Sequence, residues 1–411
     1  MIQRKDLLWI LIGCFFVLES PKAEKGTVKI GGEFGVRSSY LYGQDKFSLK
    51  RPYAHVKAYF KNFGNDEVTQ EVSIASRFLL DDEAPKSDSL TEATYKIVRE
   101  NSTFTFGLQE IGWGETFGIY PLDFVNSRNF EDPLISDLKW TRIPVFALNY
   151  EYLGEKFSGQ LIAIPKPKNS KFPSKGDAFD TTPSTLAHLE REEMQAPQLI
   201  YDSEVGGRLG YLFDFGLDVD LYYFYHRNRN LALDLKNPTY NSGFLTGGTL
   251  FPVFKQIHST GLSSTYATGD FVFRLDFVNH FKRPVNDPDT LAVKYLNNMI
   301  GVFGFDFSTE GKFQLGLQYH HDSFTEFYYN WISSQMSLPL FGDFMELSFF
   351  VFWGLNNQDL WYQPTMKFFF NDQLSMSLCA DIIEKQEPKK SGQISSFSDH
   401  DRVFLELGWQ F

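Results

Sequence analysis

Apolar and polar residues alternate one for one along most of this chain. Phe313, Leu315, Leu317 and Tyr319 interleave with Gln314, Gly316, Gln318 and His320. Leu374, Met376, Leu378, Ala380 and Ile382 interleave with Ser375, Ser377, Cys379 and Asp381. Met345, Leu347, Phe349, Val351 and Trp353 form another apolar row, with Glu346 and Ser348 opposite. Leu217, Val219, Leu221, Tyr223 and Tyr225 face away from Asp218, Asp220 and His226, and Phe271, Phe273, Leu275 and Phe277 face away from Arg274 and Asp276. A period of two predicts strands, because successive side chains point to opposite faces. About eighteen such runs (sixteen at the fewest) begin near Val28, Arg51, Val68, Leu90, Ser102, Ile143, Lys156, Gln198, Leu217, Phe254, Asp270, Lys294, Lys312, Asn330, Asp343, Asp359, Gln373 and Asp401. Each is about ten residues long, which suits a tilted strand crossing a bilayer.

The connections alternate in length. Tight links such as Gly154-Glu155, Asp214-Phe215-Gly216, Thr268-Gly269, Phe341-Gly342 and Asn371-Asp372 carry residues that tolerate positive φ. Longer links fall between them, the largest near residues 113–142, 167–197 and 228–253. Short turns at one end and long loops at the other predict an all-β fold, an antiparallel transmembrane β-barrel of about eighteen strands. A soluble β-sandwich has no reason to alternate its loops so regularly.

Composition sharpens this picture. Aromatic residues make up 17% of the chain beside 22% charged residues. A barrel wall needs both, one facing lipid and the other water, so mean hydropathy stays at −0.27. No run beyond the N-terminus is long and apolar enough for a membrane helix. The formal net charge of −12 gives no support to a diffuse basic surface for nucleic acid.

Both ends of the sequence carry addresses. Arg4 and Lys5 precede an apolar run from Leu7 to Leu18, the pattern of a secretory signal peptide over residues 1–23, with the barrel in 24–411. Leu11-Ile12-Gly13-Cys14 resembles a lipoprotein box, but the apolar run continues past it through Leu18. With Cys14 in the export segment, Cys379 is the one thiol of the mature chain. The last strand reads Val403, Leu405, Leu407, Trp409 and Phe411 on one face. It resembles the C-terminal signal of bacterial outer-membrane barrels, with Trp409 and Phe411 as the residues that the barrel-assembly machinery reads.

One further stretch combines Gly107, Gln109, Trp113 and Gly114 with Asp123, Asn126, Ser127, Arg128 and Asn129. It resembles a pattern G-x-Q-x-x-x-W-G followed by D-x-x-N-P-R-D in an uncharacterised group of Gram-negative outer-membrane barrels, akin to the alginate-export-type porins. The match covers roughly a tenth of the chain and departs from the pattern at Ser127 and Asn129. The resemblance implies an eighteen-stranded porin and says little about solute. Read from its residues alone, the segment is a strand followed by a long loop. Trp113 either sits in the interfacial aromatic girdle or opens an inward-folded loop bearing Asp123, Arg128, Glu131, Asp132 and Arg142.

With the apolar rows facing lipid, the other face lines the lumen. Early strands point Lys29, Glu33, Arg37, Arg51, His55, Lys57, Glu71, Arg77, Lys96 and Arg208 inward, a basic wall. Later strands point Asp218, Asp220, Arg274, Asp276, Glu346, Asp381 and Glu406 inward, an acidic one. Pore-lining or constriction candidates are therefore Arg37, Arg51, Lys57, Arg77, Lys96, Asp123, Arg128, Arg142 and Arg208. Either these charges attract small anionic solutes, or they pair with one another across strands. His188, His226 and His258 read as polar lumen or loop residues. No cofactor, metal site or catalytic residue is expected. His320, His321, Asp322 and Ser323 are the nearest approach to a hydrolase set, and they read as a strand end and loop. The acidic loops Asp81-Asp82-Glu83 and Glu190 to Glu193 read as solvated.

The leading functional expectation is passive diffusion of small hydrophilic solutes through a porin-like channel in the bacterial outer membrane. The rival is a non-conducting barrel whose outer loops serve adhesion, reception or envelope structure. Expected partners are outer-membrane lipids, lipopolysaccharide, the assembly machinery during biogenesis, and further copies of the chain in a homo-oligomer.

Overall fold

Eighteen strands of the chain join in one antiparallel sheet that closes on itself. The computed structural model describes residues 27–41, 46–61, 68–79, 90–118, 120–134, 141–174, 177, 179–180, 188–242, 244–287, 292–309, 313–342, 344–356, 359–385, 394 and 397–411. The export segment, the acidic loop 81–83 and the side chain of Arg51 lie outside the described residues. The wall consists of β1 (Thr27–Leu41), β2 (Lys46–Lys61), β3 (Thr69–Leu79), β4 (Leu90–Arg99), β5 (Ser102–Gln109), β8 (Val145–Leu153), β9 (Phe157–Ile164), β11 (Glu204–Leu212), β12 (Leu217–Arg227), β15 (Gln256–Thr268), β16 (Phe271–Asn286), β17 (Val293–Thr309), β18 (Phe313–Phe324), β19 (Tyr328–Leu340), β20 (Met345–Gly354), β21 (Asp359–Phe369), β22 (Leu374–Lys385) and β23 (Arg402–Gln410). The remaining strands lie in the long connections: β6 (Ser127–Arg128) with β7 (Arg142–Ile143), β10 (Glu190–Arg191), and a hairpin of β13 (Ala232–Asn241) and β14 (Phe244–Val253).

Closure comes from β1 pairing with β23, Glu33 opposite Gln410 through Leu41 opposite Arg402. Phe411 extends the seam: its N–H donates to the Gly32 carbonyl at 3.0 Å and its carbonyl accepts from the Gly32 N–H at 3.1 Å. Its ring stacks on Phe34 at 5.3 Å and on Trp409 at 5.4 Å. A closed sheet leaves no unpaired backbone edge, which is what hydrocarbon demands.

Residues opposite one another across the ladder share a face, so register fixes which side each residue takes. Leu209 pairs with Leu221 and Leu221 with Leu262 on the outside, where Leu209 is 71% and Leu221 is 56% exposed. Phe104, Phe106, Phe146, Phe303, Leu317 and Leu405 stand on the same outer surface. Arg208 pairs with Gln160 and Tyr222 on the inside. His258 breaks with the lumen-or-loop expectation: it pairs with Tyr225 on the outer face and its Nδ1 bonds the Tyr223 hydroxyl at 2.8 Å. Tight turns close one rim. Phe341 and Gly342 both take positive φ (55° and 65°) in the short link that joins Leu340 to Met345. The long connections gather at the opposite rim.

The interior is not uniformly polar. Trp113, Leu122, Phe124, Val145, Ile162 and Phe224 belong to one buried apolar cluster, and Leu134, Phe179, Trp331, Phe352, Trp361 and Ile383 form another. The first lies between the wall and the loop that follows β5; the second joins that loop through Leu134 to Phe179 of the β9–β11 connection and to the wall.

Candidate functional site

That loop is built into the lumen by a series of local contacts. Gly107 has φ +127°, and an added Cβ would stand 2.1 Å from the Ala93 carbonyl oxygen, so only glycine fits at this exit from the wall. Gln109 donates to the Ala147 carbonyl at 3.2 Å and accepts from Asn149 at 3.3 Å. Asn126 clamps the two arms of the loop together: its Oδ1 accepts from the Ile111 N–H at 3.2 Å and its Nδ2 donates to the Ile111 carbonyl at 2.6 Å. Trp113 is 3% exposed, its Nε1 donating to Gln160 Oε1 at 2.6 Å and its ring packed on Phe124, Tyr222 and Phe224. The girdle alternative for Trp113 therefore fails: the residue lies inside the barrel, because its N–H finds a buried acceptor there.

The tip of the loop is latched to the far wall. Asp276 on β16 accepts from the N–H groups of Glu115 (3.0 Å) and Thr116 (3.1 Å) and from the Thr116 hydroxyl (2.8 Å). The Phe117 ring lies over Gly316 on β18, where a Cβ would stand 2.6 Å from it. On the return arm, Asp123 is wholly buried and receives both Arg128 (2.8 Å) and Arg142 (3.1 Å) on Oδ2. These three residues share one connection, and the short ladder of β6 and β7, with Arg128 opposite Arg142, brings them together. Arg229 then ties the loop to the wall, donating to the carbonyls of Phe124 and Val125 and pairing with Glu204 at 2.6 Å. Farther on, Asp132 meets Arg402 of β23 at 2.7 Å, and Arg402 also holds Asp381.

Among the described residues several open spaces remain, and two of them adjoin charged groups of the loop. The first, of about 530 Å³, lies between the start of the loop and the early strands. Lys57, Arg77, Lys96 and Arg208 line it, against Glu92, Glu110 and Glu151. Several of these charges pair: Lys57 with Glu92 at 2.7 Å, and Arg208 with Asp220 at 3.8 Å. Glu151 accepts from Gln160 at 3.0 Å. Lys96 has no ion pair among the described residues. Arg37 points inward on β1 and stacks over Phe404 at 4.2 Å. Arg51 stands opposite Arg37 in the ladder. The second space, of about 670 Å³, has Phe124, His280, Arg283, Phe350 and Trp361 among its lining. Behind it, the Ser259 hydroxyl bridges His226 (2.8 Å) and His280 (2.6 Å).

The basic wall and the Asp123 group were legible in the sequence; Glu110 and the Glu204–Arg229 pair were not. Glu110 follows the last wall residue, where alternation no longer says which way a side chain points. The hydrolase set does not converge: His320 faces inward to Ser333 at 2.7 Å, whereas His321 faces outward to Asn330 at 2.7 Å. Among the described residues, no group of acidic, His or Cys side chains is placed to hold a metal. Cys379 is free and buried.

No family model and no curated protein matches the chain. Solved structures do. OmpF of Salmonella typhi, solved with daunomycin, is 12% identical over 93% of this chain and 97% of its own, with a TM-score of 0.47. OmpT of Vibrio cholerae, an outer membrane protein in a trimer form, is 11% identical over 94% of this chain and 100% of its own, with a TM-score of 0.46. The outer membrane protein OpdK of Pseudomonas aeruginosa is 8% identical over 94% of this chain and 99% of its own, with a TM-score of 0.53. That last likeness is one of fold: this chain is a closed antiparallel barrel of the outer-membrane type.

Proposed function

We propose that the protein is a porin-like channel of the bacterial outer membrane that passes small hydrophilic solutes, anionic ones in preference. The observation that carries this reading is the open space beside the loop, where Lys57, Arg77, Lys96 and Arg208 face the path. A solute entering there leaves bulk water between a wall of fixed positive charge and a narrow loop. Width and charge then select together, with no cofactor. The outer apolar surface supports lipid, lipopolysaccharide and further copies of the chain as partners. The seam at Trp409 and Phe411 supports recognition by the assembly machinery.

A closed barrel acting through its outer loops is the second reading. It draws on the apolar clusters that occupy much of the lumen around Trp113 and Trp331. Planar-bilayer recording of the purified protein separates the two. A conducting pore with a reversal potential on the anion side supports the channel reading. Cation selectivity rejects the anion preference, and persistent electrical silence favours the closed barrel. Liposome swelling with sugars, amino acids and organic acids then defines the solute class.

A further inference from the structure

We propose that Glu110 sets the charge selectivity of this passage, as a removable negative charge held opposite the basic wall. The inference deepens the channel reading and rests on it. Glu110 is the first residue of the loop after β5, and both neighbours are fixed. Gln109 is bonded to β8 through Ala147 and Asn149, and Ile111 is bonded on both backbone groups to Asn126. The Glu110 side chain itself makes no hydrogen bond or ion pair among the described residues and borders the open space. Its position is held while its carboxylate stays unengaged. The other carboxylates there differ: Glu92 is bound to Lys57 and Glu151 to Gln160.

The charge balance of the space turns on this one group. Four cations face three carboxylates, so loss of the Glu110 charge about doubles the net positive charge of the passage. The groups facing Glu110 are His55 and Lys57 from β2, Arg77 from β3, Glu92 and Lys96 from β4, Glu151 from β8, Arg208 from β11, and Asp123 and Arg142 from the loop. Glu110 is exposed to the water of the space, with the walls of β2, β3, β4 and β11 standing around it. Partial loss of hydration between those walls raises its pKa to about 7; Arg77 and Arg142 pull it down, and Asp123 and Glu92 push it up. The neutral form thus dominates in mild acid and the charged form in mild alkali. Acid removes this one counter-charge while the four cations stay, so anion preference rises as pH falls.

The test is reversal potential across a potassium chloride gradient at about 0.1 M salt, at pH 5.5 and at pH 8.5. Three proteins are compared: wild type, Glu110→Gln and His55→Gln. In the wild type the chloride-to-potassium permeability ratio should be about threefold higher at pH 5.5, the effect of one unit charge roughly 5 Å from an ion path in water, reduced by screening. Glu110→Gln should show the acid ratio at both pH values, and His55→Gln should keep the wild-type shift. A wild type without the shift, a Glu110→Gln channel that retains it, or a His55→Gln channel that loses it overturns the proposal. A wild type that prefers cations at both pH values sinks the anion reading but not the role of Glu110, provided the shift is present and Glu110→Gln abolishes it.

Discussion

Replacing Asp276 by asparagine should unlatch the tip of the loop while leaving the barrel intact. The wild-type carboxylate is buried and takes three donors from the loop: two backbone N–H groups, of Glu115 and Thr116, and the Thr116 hydroxyl. Hydrogen bonds to a charged acceptor contribute about 1.5–3 kcal/mol each and those to a neutral one about 0.5–1.5 kcal/mol. The difference is about 1 kcal/mol per bond, or roughly 3 kcal/mol over the three. Asparagine also turns an N–H₂ toward donors, which adds to the loss rather than offsetting it. At about 1.4 kcal/mol per factor of ten, the population of the unlatched tip rises about a hundredfold. The barrel keeps its ladder, because residue 276 pairs with Ser263 and Val302 through its backbone. Single-channel traces of Asp276→Asn should therefore flicker between the wild-type level and a larger one. Asp218→Asn is the control: Asp218 also points inward, on β12, but makes no bond to the loop. If Asp276→Asn folds, as judged by a heat-modifiable gel shift, and conducts with wild-type level and noise, the latch reasoning is wrong.

Gly316→Ile should open the same tip by a different force, since the new side chain claims the space of the Phe117 ring; the expected trace resembles that of Asp276→Asn, and wild-type noise would contradict it. Arg402→Met leaves Asp132 and Asp381 buried without their partner, and should lower stability in urea by about 3–5 kcal/mol, measured on the folded band in gels. Leu221→Arg puts a charge on the outer face near the middle of β12. It should weaken folding into bilayers by about 2–4 kcal/mol, and an unchanged folding equilibrium would mean that this face does not meet lipid.

How much of this was legible in the sequence depends on what each residue answers to. Strands that face lipid on one side and the lumen on the other must alternate, so their starts at Leu90, Ser102, Leu217 and Asp359 agree between pattern and structure. The pattern starts one strand too early, near Gln198, because Leu199-Ile200-Tyr201 is apolar without being strand. Ile200 takes φ +67° there, a turn that hydropathy cannot announce. The hairpin of β13 and β14 reads as loop because it rests on the small cluster around Leu189 and Leu250 rather than on a two-sided wall. Pro238 interrupts it as well, beside a break in register between Lys236 and Thr239.

The inward aromatics lie beyond the reach of alternation for a related reason. Phe350 and Phe352 occupy lumen positions, yet they face another piece of protein instead of water. Alternation reports which of two faces a side chain takes; what covers that face is decided by the loop that folds across it. The loop in turn is held by residues whose partners lie far away in sequence, Asp276 for Thr116 and Arg402 for Asp132. Such pairs leave no periodic trace. The wall is therefore readable from one sequence, and the plug of loop within it is not, except where Asp123, Arg128 and Arg142 combine opposite charges within a single connection. The passage beside that plug is defined by both at once: the four cations with Glu92 and Glu151 by strand parity, and the loop's own charge by Glu110, the residue at which parity stops.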